Sequence, residues 1–241
     1  MQNIIRKKAS QMEIELNDYQ IEQFINYYSI LIEWNRVMNL TAITEYEEVV
    51  NKHFIDSLSL IKTIDKKTFR SGSISVIDIG TGAGFPGIPL KIAFPEIKIT
   101  LLDSLNKRIK FLNEVVEEIG LKEVQTLHGR AEDYARKHEY REKYDLCVSR
   151  AVANLAILSE YALPYVKKSG YFISYKSGNI EEEIKESTKA VEILGGKIEK
   201  IEKFTLPETE IQRSLVKIRK ENSTGKKYPR KAGVPSKEPL K

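Results

Sequence analysis

The sequence predicts an α/β fold in which a mostly parallel sheet carries helices on both faces. From Ser75 onward, short apolar strands alternate with helical segments, which is the order typical of parallel sheets. A turn rich in glycine follows the first strand, as at many nucleotide-type sites. The last two strands, about 197–205 and 211–219, are separated by a short polar segment and predict a hairpin. The 241 residues are enough for one such domain with appendages.

Residues 1–70 are predicted to form a helical N-terminal region. Apolar residues recur there at helical spacing. They are Ile21, Phe24, Ile25, Tyr28, Leu31 and Ile32. Asn17 is the predicted N-cap of this helix, and residues 34–41 are predicted to interrupt it.

A second helix is predicted within the same region. Thr44 with Glu47 has the spacing of a capping box, which would start this helix. The helix would carry His53 and Asp56. Residues 66–73 are predicted to be a polar linker to the next region.

Residues 74–220 are predicted to form the core domain, and residues 221–241 a basic C-terminal tail. The predicted strands are, in order, 76–79, 98–102, 124–127, 144–148, 170–174, 197–205 and 211–219. Helices are predicted between them, and Asn179 with Glu182 is predicted to cap the last one. This order predicts a seven-stranded sheet that is parallel except for one antiparallel strand at its edge.

The glycine loop, residues 80–87, admits three ligand interpretations. A phosphate-binding P-loop is excluded, because Ile88 stands where that loop needs lysine. A dinucleotide fingerprint also fits, with Asp103 at a suitable distance downstream. The run 78–84, Asp-x-Gly-x-Gly-x-Gly, resembles the first motif of class I methyltransferases of Rossmann-like fold, which use S-adenosylmethionine (SAM). The acid favours SAM, since a carboxylate attracts an ammonium and a sulfonium but repels a pyrophosphate. A turn without a ligand is the structural alternative.

The carboxyl ends of the parallel strands are predicted to form one ligand surface. The candidate SAM-binding residues follow these strand ends. They are Asp78, Gly80, Gly82, Gly84, Phe85, Asp103, Ser104, Ala131, Glu132 and Arg150. An acid such as Asp103 accepts hydrogen bonds from both ribose hydroxyls better than a neutral residue does. Glu132 is explained equally well as a charge at a helix N-terminus, and a surface salt bridge is the less favoured alternative for Arg150.

The net charge of +5 is concentrated at the C-terminal end of the chain. Residues 220–241 carry seven basic and two acidic side chains, which accounts for the whole excess. This favours a polyanionic partner for the tail. A single cysteine, Cys147, excludes a disulfide framework. No apolar run suits a signal peptide or a membrane span, so we expect a cytoplasmic protein without membrane contact.

The methyl acceptor is constrained by motifs that the sequence lacks. No Asn-Pro-Pro-Tyr or Asp-Pro-Pro-Tyr follows the fourth strand, which argues against methylation of an exocyclic amine. Cys147 lies within that strand and not on a loop, which argues against covalent chemistry on a pyrimidine. The histidines show no metal-ligand spacing, so no metal site is predicted. A nucleophile without a proton, such as guanine N7, is compatible with a site that shows no evident base.

Motifs across nearly the whole chain resemble those of the bacterial small-subunit ribosomal RNA guanine-N7 methyltransferase family, also called glucose-inhibited division protein B. They lie at residues 34–35, 39–41, 53–58, 78–90, 101–104, 107–108, 130–132, 149–151 and 228–233. The glycine loop alone would not be specific, but this combination is.

The resemblance implies transfer of a methyl group from SAM to N7 of one guanine in 16S ribosomal RNA, in the 530 loop (the 527 region). It implies that Gly80, Phe85, Ala131, Glu132 and Arg150 contact SAM, with Asp103 at the ribose. The partner would be 16S ribosomal RNA or a precursor of the small ribosomal subunit. We expect the protein to act as a monomer.

No side chain is identified as the catalytic residue. Candidates for positioning the guanine are Asn39, His53, Asp56, Lys176 and Arg213. Helix packing or capping explains His53 and Asp56 equally well. Candidates for binding RNA are Lys226, Lys227, Tyr228, Arg230 and Lys231, with Tyr228 expected to stack on a base. A solvated, disordered tail is the alternative for these residues.

Two other functions are alternatives. An NAD-dependent oxidoreductase would share the glycine loop, but Asp78, the basic tail and the lack of a Tyr-x-x-x-Lys pair argue against it. A non-catalytic RNA-binding module would not need the loop. Binding of SAM, of NADH or of neither distinguishes the three functions.

Overall fold

Seven strands form one sheet in the order β3-β2-β1-β4-β5-β7-β6. The structure is a computed structural model, and it describes residues 2–72, 74–150 and 153–241. The strands are β1 (Ser75–Ile79), β2 (Lys98–Asp103), β3 (Val124–His128), β4 (Tyr144–Ser149), β5 (Val166–Ser177), β6 (Gly196–Thr205) and β7 (Gln212–Lys220). Strands β1 to β5 pair in parallel, whereas β7 is antiparallel to both β5 and β6. The mostly parallel sheet and the hairpin are therefore confirmed.

The position of the antiparallel strand differs from the prediction. It was expected at the edge, but β7 lies between β5 and β6, and β6 forms the edge. The hairpin makes β6 and β7 neighbours, and β7 is the member of the pair that hydrogen-bonds to β5, over Tyr171–Ser177.

Eleven α-helical segments lie within the described ranges. They are α1 (Gln2–Ser10), α2 (Asp18–Met38), α3 (Tyr46–Val49), α4 (Asp56–Leu58), α5 (Lys66–Phe69), α6 (Gly87–Ala93), α7 (Asn106–Glu118), α8 (Ala131–Tyr134), α9 (Leu155–Ala162), α10 (Glu181–Ile193) and α11 (Val234–Lys237). A π-helical turn, Val50–Ile55, connects α3 to α4. Short 3₁₀ turns lie at Ser59–Lys62 and Leu163–Tyr165. In the described part of the chain, no helix is long and apolar enough to cross a membrane.

Two hydrophobic clusters cover the two faces of the sheet, because successive strand residues point to opposite sides. Val76 of β1 belongs to one cluster and Ile77 to the other. The first cluster contains residues of α1, α2, α6 and α7, and the second contains residues of α9 and α10. The N-terminal helices therefore share a core with the sheet.

The predicted helix starts meet different outcomes. The Asn17 side chain caps α2 by accepting from the Gln20 amide, and the Gln20 side chain accepts from the Asn17 amide. That N-cap prediction is confirmed. The capping box at Thr44 is wrong, because α3 begins after Glu45 and has no side-chain cap. Tyr46, the first residue of α3, packs edge-on against Tyr28 of α2.

Three further local predictions are also wrong. Helix α2 continues through Trp34 to Met38, and the break comes only at Asn39, whose φ of 47° is left-handed. Helix α10 has Ile180 at its N-cap position and no side-chain cap, so the predicted Asn179 cap does not form. The predicted linker contains α5, because Phe69 is buried against Phe94 at a ring separation of 4.8 Å. Ser73 of that linker lies outside the described residues.

Candidate active site

The glycine loop turns the chain from β1 into α6, and its glycines do two different things. At Gly82 the backbone φ is +62° and an added Cβ would meet nothing within 4 Å, so this backbone faces open space. At Gly84 an added Cβ would lie 2.6 Å from Ile88 Cγ1 and 2.8 Å from the Tyr27 hydroxyl oxygen. Gly82 therefore leaves room for a ligand, whereas Gly84 leaves room for the protein's own packing.

The Asp78 side chain stabilises this loop by accepting hydrogen bonds from it. Its side chain is fully buried, and its Oδ2 accepts hydrogen bonds from the Thr81 hydroxyl (2.7 Å) and the Gly87 amide (2.9 Å). Its Oδ1 has no partner among the residues that the structure describes. Burial raises the pKa of this carboxyl to about 7, against the lowering effect of the Thr81 and Gly87 bonds. Asp78 thus shapes the loop and does not present its charge to a ligand.

Asp103, at the end of β2, ties the second strand end to the glycine loop. Its Oδ2 accepts from the Gly82 amide at 2.9 Å and from Arg108 Nη1 at 3.1 Å. Its Oδ1 accepts from the Leu105 amide at 2.9 Å. Three donors therefore fix the carboxylate in one orientation before any ligand binds.

A cavity of about 690 Å³ opens above the glycine loop, and we name it the loop cavity. Eight of the ten predicted SAM-binding residues line it, and they are Gly80, Gly82, Phe85, Asp103, Ser104, Ala131, Glu132 and Arg150. The other two, Asp78 and Gly84, are buried outside its lining, so direct ligand contact is not supported for them. Asp78 is buried because β1 is covered on both faces of the sheet.

His53 forms part of the wall of the loop cavity. Its ring stacks on Phe85, with centroids 4.5 Å apart and an interplanar angle of 18°. Its Nδ1 lies 3.0 Å from Arg150 Nη2, and its Nε2 lies 2.9 Å from the Thr41 hydroxyl. A guanidinium always donates, so the Arg150 contact requires the tautomer with its proton on Nε2, whereas the Lys52 carbonyl, 3.1 Å from Nδ1, would accept from the other tautomer. Burial, reinforced by the Arg150 charge, lowers the pKa of His53 to about 3, so the ring is neutral at pH 7.

The Asp56 carboxylate forms ion pairs with two arginines near His53. Its Oδ2 accepts from Arg150 Nη1 and its Oδ1 from Arg213 Nε, each at 3.1 Å. Arg150 Nη1 also donates to the Lys52 carbonyl of the π-helical turn at 2.8 Å. Asp56 is buried, so both arginines are held by a desolvated carboxylate.

A second cavity, of about 1150 Å³, lies beside this cluster, and we name it the ionic cavity. Four of the five candidate positioning residues line it, and they are His53, Asp56, Lys176 and Arg213. Lys176 Nζ donates to the Ala153 carbonyl (2.5 Å) and to Glu183 Oε1 (2.7 Å). Asn39 does not join them. It is an exposed residue that ends α2, which is a structural role.

Arg150 and His53 line both cavities, so the two spaces meet at these side chains. The Arg150 guanidinium also lies over the Phe85 ring, 5.0 Å from its centroid. A group bound in one cavity would therefore lie next to a group bound in the other. The motif residue Ala151, beside Arg150, lies outside the described residues.

The tail residues do not form the free basic arm that the sequence suggested. Tyr228 is buried in the second cluster, so its ring is not available to stack on a base. Arg230 donates from Nε and Nη2 to the buried Glu160 carboxylate, at 2.9 and 2.7 Å. Lys226, Lys227 and Lys231 remain exposed.

Sequence reasoning missed several residues of the loop cavity. They are Leu40, Thr41, Tyr161, Gly233 and Ser236. Leu40, Thr41 and Gly233 fall inside the motifs that carry the family resemblance, but no local pattern indicates that they meet the glycine loop. Among the described residues, no group of three or more His, Cys, Asp or Glu side chains could hold a metal ion.

Comparisons with solved structures agree with this fold. The chain matches 16S rRNA (adenine(1408)-N(1))-methyltransferase from Catenulisporales acidiphilia with a TM-score of 0.51 and 13% identity, over 66% of this chain and 90% of that chain. It matches P. horikoshii TYW2 in complex with MeSAdo with a TM-score of 0.53 and 13% identity, over 69% and 62% of the two chains. At these identities the likeness concerns the fold alone, which is the Rossmann-like fold expected from the sequence.

Comparisons of sequence are far closer. The family model GidB, described as rRNA small subunit methyltransferase G, matches residues 20–216. Ribosomal RNA small subunit methyltransferase G of Lachnoclostridium phytofermentans is 58% identical, over 94% of this chain and 92% of the relative. The protein of the same name from Clostridium botulinum (strain Loch Maree) is 53% identical, over 99% and 98%. The chain therefore belongs to the GidB family of rRNA small subunit methyltransferases.

Proposed function

We propose that this protein transfers a methyl group from SAM to N7 of a guanine in 16S ribosomal RNA, in the 530 loop. The observation that carries the proposal is the meeting of two cavities at Arg150 and His53. The loop cavity is assigned to SAM and the ionic cavity to the guanine. Methyl transfer needs donor and acceptor in line and close together, and two adjoining cavities supply that arrangement.

The residues of the loop cavity fit SAM. The open backbone at Gly82 lets a ligand approach the loop closely, and the fixed Asp103 carboxylate offers an acceptor to ribose hydroxyls. Glu132 adds a second acid at the third strand end. Bound SAM supplies an electrophilic methyl group on its sulfonium. The protein's part is to orient the cofactor through these groups, with Phe85 and Arg150 in contact with each other in the wall of the same cavity.

The candidate residues of the ionic cavity suit an acceptor that needs no base. His53 is neutral, but its Nδ1 already contacts Arg150 and the Lys52 carbonyl, and its Nε2 contacts the Thr41 hydroxyl. Asp56 is held by two arginines and Lys176 by Glu183, so none of these is a free proton acceptor. Guanine N7 carries a lone pair and no proton, and the adjacent O6 accepts hydrogen bonds. A cation such as Arg213 can bind O6 while N7 faces the methyl group.

The partner we propose is 16S ribosomal RNA, either free or within a precursor of the small ribosomal subunit. The exposed Lys226, Lys227 and Lys231 are available to phosphates. Since this RNA is assembled into subunits in the cytoplasm, we place the protein there, acting as a monomer.

The test is methyl transfer from labelled SAM to small-subunit ribosomal RNA, or subunits, that lack the modification. The product nucleoside is then identified. We expect 7-methylguanosine at one position. Binding of SAM with a different methylated nucleoside would refute the acceptor. Binding of NADH without SAM would refute the donor and favour an oxidoreductase.

A further inference from the structure

The chain after β7 forms a strap, residues 221–238, that crosses one face of the sheet from end to end. Because β7 is antiparallel, it finishes where the parallel strands begin, with Arg219 opposite Tyr171 of β5. The strap must then run back along the face that carries the second hydrophobic cluster. It ends at the carboxyl edge of the sheet, where Gly233 and Ser236 line the loop cavity.

The first half of the strap is fixed near the amino ends of the strands. The Thr224 amide donates to Glu142 Oε1 at 2.8 Å, just before β4 begins. The Arg141 guanidinium donates to the Thr224 carbonyl at 2.7 Å and to the Tyr228 carbonyl at 2.9 Å. Arg136 Nη2 donates to the Pro229 carbonyl at 2.5 Å. With Tyr228 buried in the core, this half of the strap is part of the folded domain.

An ion pair then fixes the middle of the strap. Glu160, on α9, is only 1% exposed, and both of its carboxylate oxygens accept from Arg230 side-chain nitrogens. The Arg230 amide donates to the same carboxylate at 2.8 Å. A forked, charge-assisted contact of this kind specifies position as well as adding attraction. Glu160 lies outside the lining of the loop cavity, so its contact with Arg230 acts on the strap and not on a ligand.

Beyond this pair the strap contacts the cofactor residues themselves. The Gly233 amide donates to Glu132 Oε1 at 3.0 Å, a bond between residues 101 positions apart. Glu132 is only 6% exposed and lines the loop cavity. Ser236 lies at the same wall, beside Tyr161 of α9. The third strand end and the strap thus form one continuous side of the loop cavity.

We propose that the strap is part of the SAM-binding site, with Gly233 and Ser236 forming one wall and the Glu160–Arg230 pair as its positioning contact. The inference rests on the proposed function in taking SAM as the ligand of the loop cavity. It gives the end of the chain a contact with the cofactor, in addition to the phosphate contacts proposed above for its exposed lysines. Binding is reciprocal, so a docked strap strengthens SAM binding and bound SAM strengthens strap docking by the same factor.

Equilibrium binding of SAM to purified protein tests the wall. The variants are a chain ending at Lys231, which keeps Tyr228 and Arg230, and Glu160→Gln, which keeps the size of the side chain. We expect both to bind SAM at least about fivefold more weakly than the full chain, the lower end of ordinary coupling between sites. The matched control is Asp145→Asn, which breaks an ion pair with Lys167 at the opposite end of the sheet. Its SAM affinity should stay within about twofold.

Limited proteolysis tests the same coupling without a variant. Lys231 and Lys237 are exposed trypsin sites on the strap. We expect SAM to slow cleavage after these lysines in the full chain, and not cleavage after the exposed Lys7 of α1. Equal rates with and without SAM would overturn the inference even if the shortened chain failed to fold.

The outcomes separate this inference from the proposed function. If the full chain does not bind SAM, the donor assignment fails and the strap inference fails with it. If the full chain binds SAM and both folded variants bind it within twofold of that affinity, the strap inference alone fails. Weaker SAM binding by both variants, with unchanged binding by Asp145→Asn, supports it.

Discussion

The two cavities that meet at Arg150 are built in different ways. The loop cavity is shaped by backbone turns and by carboxylates that accept from amides, as Asp103 does from Gly82 and Leu105. The ionic cavity is shaped by side chains that neutralise one another, as Asp56 does with Arg150 and Arg213. A backbone-built site holds one ligand shape, whereas a site of paired charges can exchange a partner for a substrate oxygen. The first arrangement suits a constant cofactor, and the second suits a base that must enter and leave.

The largest effect is expected at Arg150, because it belongs to both cavities. Arg150→Ala should lower kcat/KM for methyl transfer by about 100-fold or more, the cost of misplacing reactants by roughly an ångström. It should also weaken SAM binding and leave the buried Asp56 carboxylate with Arg213 as its remaining arginine partner. Arg150→Lys keeps the charge but loses the forked donors, so its kcat/KM and SAM affinity should lie between those of the native chain and those of Arg150→Ala. Steady-state kinetics and SAM titration check this, and a loss confined to only one of them would contradict the shared role.

The next largest effects are expected from two matched substitutions, one in each cavity, which should change different measured quantities. Asp56→Ala should lower kcat for methyl transfer by about 10- to 100-fold, with SAM affinity within about twofold, since hydrogen bonds to charged groups contribute about 1.5–3 kcal/mol. Asp103→Ala should instead weaken SAM binding by a similar factor and leave RNA affinity unchanged. Calorimetric titration with SAM and filter binding of RNA measure the two effects. If both variants lost SAM affinity equally, the division into two cavities would be wrong.

Smaller effects are expected at two glycines of the loop, one that faces the protein's own packing and one that faces the loop cavity. Gly84→Ala should lower the free energy of unfolding by about 1–3 kcal/mol through overpacking against Ile88 and Tyr27. A further cost of about 1–2 kcal/mol comes from its left-handed backbone. Gly82→Ala carries the backbone cost alone, but its methyl group would project into the loop cavity. We therefore expect Gly84→Ala to be seen in denaturant melts and Gly82→Ala in SAM affinity. The reverse pattern would show that the two positions have been assigned the wrong way round.

The last prediction concerns the pH dependence of stability that Asp78 contributes. Its pKa is about 7 in the folded protein and about 3.8 in an unfolded chain, so only the folded state holds this proton between those values. Stability from this group is therefore present at low pH and is lost as pH rises toward 7, with a slope of at most about 1.4 kcal/mol per pH unit. His53 acts in the opposite direction, because its pKa falls from 6.5 to about 3 on folding.

The two titrations overlap, so the Asp78 effect must be measured as a difference. The free energy of unfolding is compared between the native chain and Asp78→Asn from pH 4 to 7. The native chain should lose stability relative to the variant as pH rises through this range. A constant difference would mean that Asp78 is ionised throughout.

The sequence predicted most of what depends on neighbouring residues. Strand ends, the glycine loop and the Asn17 cap follow from local pattern, and eight of ten candidate cofactor residues do line one cavity. Asp78 was misjudged because a strand covered on both faces buries even its acid, which a loop motif does not reveal. The burial of Tyr228 was missed for a related reason, since a short basic segment resembles a solvated tail.

Contacts between distant residues were beyond a reading of local pattern. Arg150 pairs with a helix 94 residues earlier, and Gly233 with a carboxylate 101 residues earlier. Neither partner carries a spacing or composition that names the other. The second contact depends on the topology, because β7 sends the chain back across the sheet toward Glu132.

The π-helical turn at Val50–Ile55 makes the ionic cavity sensitive to the number of residues in this segment. The turn is wider than an α-helical one, and from it the Lys52 carbonyl and His53 both contact Arg150, as does Asp56 just after it. Removing one residue from the turn would leave a regular helix of ordinary stability. It would also rotate every following side chain by about 100° relative to those before it. An in-frame codon deletion here would therefore abolish the combined contacts of Lys52, His53 and Asp56 with Arg150 while the segment stayed fully helical.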